Sequence, residues 1–132
     1  MKKLLLLSVF LIFACSNDDE SDDNPLPAYT VEGRWLWSPG FGASANTMYE
    51  FLNGTRYTYY CDDFGNECDE TYWNSLETLD AIPGTITYTF ETNILTIDSV
   101  EQEVAFECDG GKLYFVSANY SLYRIGVDQD CN

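Results

Sequence analysis

The stretch "CDDFGNECDE", Cys61 to Glu70, gathers Asp62, Asp63, Asn66, Glu67, Asp69 and Glu70 around two cysteines. Oxygen donors this dense suit calcium, which takes about six to eight of them in a flexible loop, and Gly65 permits a tight bend. Asp62, Asp63, Asn66 and Asp69 are the candidate metal ligands. Their spacing departs from the EF-hand order, so the plainer expectation is a solvated hairpin tip with no cofactor. Tyr72 and Trp73 follow at once. Aromatic rings beside carboxylates suit stacking on a sugar, which makes these two the candidate ligand contacts. The competing expectation is that Trp73 covers an open end of the fold.

Other chemistry is excluded or unsupported. The chain has no histidine, which removes Ser-His-Asp and Cys-His catalysis and His-ligated zinc. No carboxylate pair stands out for glycoside hydrolysis, so no catalytic residue is assigned and an enzyme is not expected. The net charge is −16, which repels nucleic acid and anionic headgroups. Cys61, Cys68, Cys108 and Cys131 form an even set in a chain whose start reads as an export signal, and so predict two disulfides. Three pairings are possible. Nearness in sequence favours Cys61–Cys68, which leaves Cys108–Cys131. Loop closure assigns these about 2.5 and about 3.5 kcal/mol. The spacing lacks the paired C-x2-C of a zinc site.

The elements that must hold these residues read as strands. From Thr30 the chain is rich in Tyr, Phe, Thr, Val and Ile, the strand formers. "VEGRWLW", "TMYEF" and "TRYTYYC" come first, the last two joined by "LNGT", whose Asn53-Gly54 is a strong hairpin signal. "GTITYTFE" alternates Ile86, Tyr88 and Phe90 with Thr85, Thr87 and Thr89. "ILTID", "VEQEVAFEC", "KLYFVS" and "YSLYRIGV" complete about eight antiparallel strands. Sequential hairpins predict an all-β, up-and-down barrel, which hides its edges by closing; a β-sandwich is the alternative. Asp62 to Pro83 interrupts the rhythm as one long disulfide-tied loop, with a turn or two of helix expected over Asn74 to Asp80 and Leu76 and Leu79 packing down. Phe51, Tyr57, Tyr59, Tyr88, Phe90, Phe106 and Phe115 are available to fill the barrel.

The chain opens "MKKLLLLSVFLIFACS": two lysines, an apolar run too short to span a bilayer, and Ala14 before Cys15. "LIFAC" resembles a bacterial lipobox, with Leu11 one place further back than usual. The resemblance implies a signal peptide over residues 1–14, removed before a Cys15 that carries acyl chains such as palmitate. Two or more chains anchor a protein stably. Asp18, Asp19, Glu20, Asp22 and Asp23 make residues 15–29 an acidic flexible tether. Acids just after such a cysteine look like the surface-export signal of Bacteroidota lipoproteins, which implies an outer-membrane, cell-surface location with the membrane as partner through the anchor. Residues 30–132 are then one small domain.

Within that domain, Gly33-Arg34-Trp35 resembles the Gly-x-Trp of lipocalins, and Arg124 in "SLYRIG" matches the last-strand Arg that lies across that Trp. "YEFLNGTRYTYY" and "GTITYTFETNILTID" look like the second to fifth strands of the lipocalin-like domains found in Bacteroidota lipoproteins. The resemblance implies an eight-stranded lipocalin-like barrel, closed at one end by Trp35 and Arg124. It implies a binding or interaction module for a small apolar molecule or surface partner. The alternatives are an accessory subunit with a solid barrel, structural or inhibitory, and a glycan-binding surface protein. "DSV" resembles a Bacteroidota O-glycosylation acceptor, which would modify Ser99.

Overall fold

Eight β-strands succeed one another around a closed barrel in which every neighbour is antiparallel and the first strand pairs with the last. The computed structural model describes residues 29–38, 44–62 and 68–131. The signal segment, Cys15 and the acidic tether lie outside the described residues. The strands are β1 (Gly33–Trp37), β2 (Thr47–Leu52), β3 (Thr55–Tyr60), β4 (Ile86–Glu91), β5 (Ile94–Ile97), β6 (Val100–Glu107), β7 (Lys112–Phe115) and β8 (Tyr120–Arg124). One short helix, α1 (Glu70–Ser75), stands in the β3–β4 connection. This is the up-and-down barrel rather than the sandwich. The disulfides join Cys61 to Cys68 and Cys108 to Cys131.

The turns are tight because their residues tolerate left-handed backbone. Asn53 and Gly54 have φ of 51° and 79°, the paired positive values a two-residue hairpin needs to match strand twist. Thr92-Asn93 and Asp98-Ser99 do the same between β4 and β5 and between β5 and β6. Such turns leave no slack in register. Phe51 therefore faces Arg56, and Leu52 faces Thr55.

Register decides which side chains fill the barrel, since partners across a ladder share a face. Trp35, Phe51, Tyr88, Leu95, Val104, Leu113, Phe115 and Leu122 form the buried interior. Tyr57 and Tyr59 do not join it, contrary to expectation. Tyr59 is opposite Met48 and Tyr57 opposite Glu50, both on the outer face of β2. There Met48, Tyr59, Cys61 and Trp73 form a second buried cluster. The wall of β1, β2 and β3 is thus buried on both sides, inside by the barrel core and outside by α1.

The helix begins earlier than the sequence suggested. Asp69 Oδ1 accepts a hydrogen bond from Tyr72 N at 2.8 Å, which caps α1 at its first turn. Leu76 is extended and ends it. Glu77 and Asp80 then bond reciprocally and hold a 3-10 turn over Thr78–Asp80. Leu76 packs on the outer cluster, but Leu79 is 93 % exposed, so the expected packing of Leu79 does not occur.

Candidate functional site

One end of the barrel is closed. Trp35 is fully buried and its indole N–H donates to Val31 O at 2.7 Å. The Arg124 guanidinium lies over the ring, with Cζ 3.8 Å from its centroid, and donates to Thr30 O at 3.0 Å. Burial pulls the Arg124 pKa down. Gly33 makes room for this stack: its φ is +104°, and a Cβ there would stand 2.4 Å from Arg124 Nη1. Tyr88 donates to Glu32 at the same end. Its phenol is pushed up to about 12, first by burial and then by the bond to Glu32. Tyr29 donates to Asp109 at 2.6 Å.

In the connection after β3, α1 lies on the outer wall, where Trp73 packs with Met48 and Tyr59. Trp73 is 1 % exposed, and its indole N–H donates to Cys68 O at 3.1 Å. It is therefore a packing residue on the outer wall and is not available as an exposed stacking ring. Tyr72 is half-buried and donates to Tyr60 O at 3.2 Å. Arg34 holds the helix from below. It meets Glu50 at 2.9 Å and donates to the carbonyls of Trp73 and Leu76, at 3.2 and 2.7 Å. Tyr59 completes the set by donating to the second oxygen of Glu50 at 2.5 Å. Burial first, and then that bond, raise the Tyr59 pKa. Arg34 thus satisfies carbonyls at the end of α1 that otherwise lack donors.

The acid cluster does not assemble as a site among the described residues. Asp63 and Asn66 lie outside them. Asp62 is exposed, and Asp69 is spent on the helix cap. Among the described residues no three His, Cys, Asp or Glu side chains form a metal-holding group. Ser99 sits in the exposed turn between β5 and β6.

The other end of the barrel is aromatic among the described residues. Two shallow depressions meet at Trp37. One, of about 410 Å³, is lined by Trp37, Thr47, Tyr49, Tyr60 and Asp62 among others. The second, of about 350 Å³, runs onto the outer face of β7 and β8, where Lys112, Tyr114 and Tyr123 point away from the core, and reaches Trp37 and Tyr120. Phe115 and Tyr120 stack in parallel nearby, with centroids 4.4 Å apart and planes 11° from coplanar. Arg56 shares the interior face with Phe51, and its Cζ lies 4.9 Å from the centroid of Tyr49, which lines the first depression. Its Nε is buried with no hydrogen-bond partner, a state that costs about 1–3 kcal/mol. Burial pushes the phenols of Tyr49 and Tyr120 above their ordinary value, and the Arg56 charge draws both part of the way back.

Sequence reasoning did not single out Arg34, Glu50 or Arg56. For Arg56 a signal was present. A two-residue Asn-Gly hairpin places Arg56 opposite Phe51, so an inward Phe51 makes Arg56 inward as well. Comparison of the chain with protein-family models, curated proteins and solved structures gives no match.

Proposed function

We propose that this protein is a lipid-anchored, cell-surface binding module that takes a small molecule at the aromatic end of its barrel. The observation that carries this reading is the aromatic mouth of about 410 Å³ around Trp37, Tyr49 and Tyr60. Apolar walls with a few polar groups are the usual composition of ligand sites. The filled interior directs a ligand to the mouth, because Trp35, Phe51, Tyr88 and Leu95 occupy the space further in. The module is not an enzyme in this reading. Anchoring rests on Cys15 and the tether on the five acids after it. The location is the outer membrane, facing outward.

Three tryptophans make the test selective. Trp35 and Trp73 are buried with bonded indole N–H groups, while Trp37 lines the mouth. In a spectrum of 15N-labelled indoles, titration with a library of small aromatic compounds should shift the Trp37 signal and leave the other two in place. A library that moves none of the three, at millimolar concentration, would end the ligand reading. The solid-barrel accessory subunit would then stand, which the filled interior also favours. For the anchor, Cys15→Ala should leave the folded domain intact but release it from the membrane fraction.

A further inference from the structure

Four basic side chains belong to the described residues: Arg34, Arg56, Lys112 and Arg124. Three of them are answered. Arg34 has Glu50 and two carbonyls, Lys112 has Glu107 at 2.6 Å, and Arg124 has the Trp35 ring and Thr30 O. Arg56 has the face of Tyr49, no ion pair among the described residues, and a buried Nε with no acceptor. This occurs in a chain of net charge −16 with 22 acidic residues, where a carboxylate partner would be easy to supply. A guanidinium carries five N–H donors in a planar fork and no acceptor, so an anion is the partner that completes it. Two phenols, Tyr49 and Tyr120, lie close enough to feel its charge, and each can add an O–H donor.

We propose that Arg56, with Tyr49 and Tyr120, forms an anion subsite at the barrel mouth that takes the carboxylate of a small, planar aromatic monocarboxylic acid. A carboxylate matches the fork in two parallel bonds. A single charge is favoured because the acidic surface repels polyanions. An aromatic body is favoured by the walls: Trp37 and Tyr60 at the rim, and the Phe115–Tyr120 stack beside Tyr49. A long alkyl tail has no room inward, where Phe51 and Tyr88 meet edge to face at 4.9 Å. This inference rests on the mouth being the ligand site.

The test uses calorimetric titration of the folded domain with 1-naphthoate, its neutral amide 1-naphthamide, and hexanoate. The acid should bind at least about tenfold more tightly than the amide, the discrimination expected of a charge-assisted pair. Arg56→Gln should erase that difference without lowering the melting temperature, and Arg56→Lys should retain part of it. Equal binding of acid and amide, unchanged in Arg56→Gln but lost in Tyr60→Ala, would overturn the anion subsite and leave the mouth reading standing. Hexanoate binding as tightly as naphthoate would overturn the aromatic assignment. Binding of none of the three, with the Trp37 indole signal also unmoved, would overturn the subsite and the mouth reading together.

Discussion

The two ends of this barrel each place an arginine over an aromatic ring, and they differ in what answers its N–H groups. At the closed end Arg124 covers Trp35 and bonds to Thr30 O, with Gly33 cleared to make space. At the mouth Arg56 covers Tyr49 and its Nε is left without an acceptor. The same pair of groups is a structural lock in one place and an open valence in the other. What separates them is local backbone. The segment before β1 brings a carbonyl to Arg124, whereas no acceptor reaches the Nε of Arg56.

The largest expected effect comes from breaking the lock. Trp35→Ala should cost about 3–5 kcal/mol, as for other buried large-to-small changes, and lower the melting temperature by roughly 15–25 °C. A loss under about 1 kcal/mol would mean that the closed end is not where stability resides. Arg34 is the answered cation of the outer wall. Arg34→Ala should cost about 2 kcal/mol in urea unfolding, because Glu50 and two carbonyls lose their donor. Arg34→Met with Glu50→Leu should recover much of it, since apolar replacement of a partly buried pair is often near neutral.

Gly33→Ala should cost about 1–3 kcal/mol, through strain at positive φ and displacement of Arg124. The near-ultraviolet signal of Trp35 should change with it; an unchanged signal would show that the stack does not depend on Gly33. Tyr88 adds a pH-dependent share at the same end. Its phenol ionises less readily folded than unfolded, with a pKa raised from 10.0 to about 12. Its contribution is therefore complete below pH 10 and is lost as the pH rises toward 12, by on the order of 1 kcal/mol per unit. Tyr88→Phe should flatten the alkaline limb of the stability profile; an equally steep limb would assign it to another tyrosine. The smallest effect belongs to the mouth. Arg56→Gln should change stability by less than about 0.5 kcal/mol, or raise it slightly, because no native partner is lost. A loss comparable to that from Arg34→Ala would erase the distinction between the two kinds of arginine.

Most of the barrel was legible because its signals are local. Asn53-Gly54 and Thr92-Asn93 mark hairpins, the Ile86, Tyr88, Phe90 alternation marks a face, and nearness in sequence favoured Cys61–Cys68. The destination of Tyr57 and Tyr59 was not legible. Both faces of β3 carry side chains that could be buried, and nothing local reveals that α1 folds over the outer one. The same ambiguity hid the inward course of Arg56, which reads as a surface residue when the tyrosines beside it are taken as core. The surface that Trp73 covers was hidden for a related reason. The burial of Trp73 depends on Met48 and Tyr59, some 14 to 25 residues earlier in the chain.

The corner between β6 and β7 gathers both ends of the domain. Tyr29 bonds to Asp109, and Cys131 is joined by its disulfide to Cys108, the neighbouring residue. This has a mechanical meaning. If the chain is anchored through the segment before Tyr29, as proposed, tension enters at the closed end, where Tyr29 bonds to Asp109. Resistance from anything held at the mouth enters at the other, so the load runs lengthwise along β1. That strand has five register pairs with β2 and two with β8. A pull along its axis strains those bonds together instead of unzipping them one by one. Drag on a captured load would thus be carried by the barrel wall in shear, the direction in which a sheet yields last.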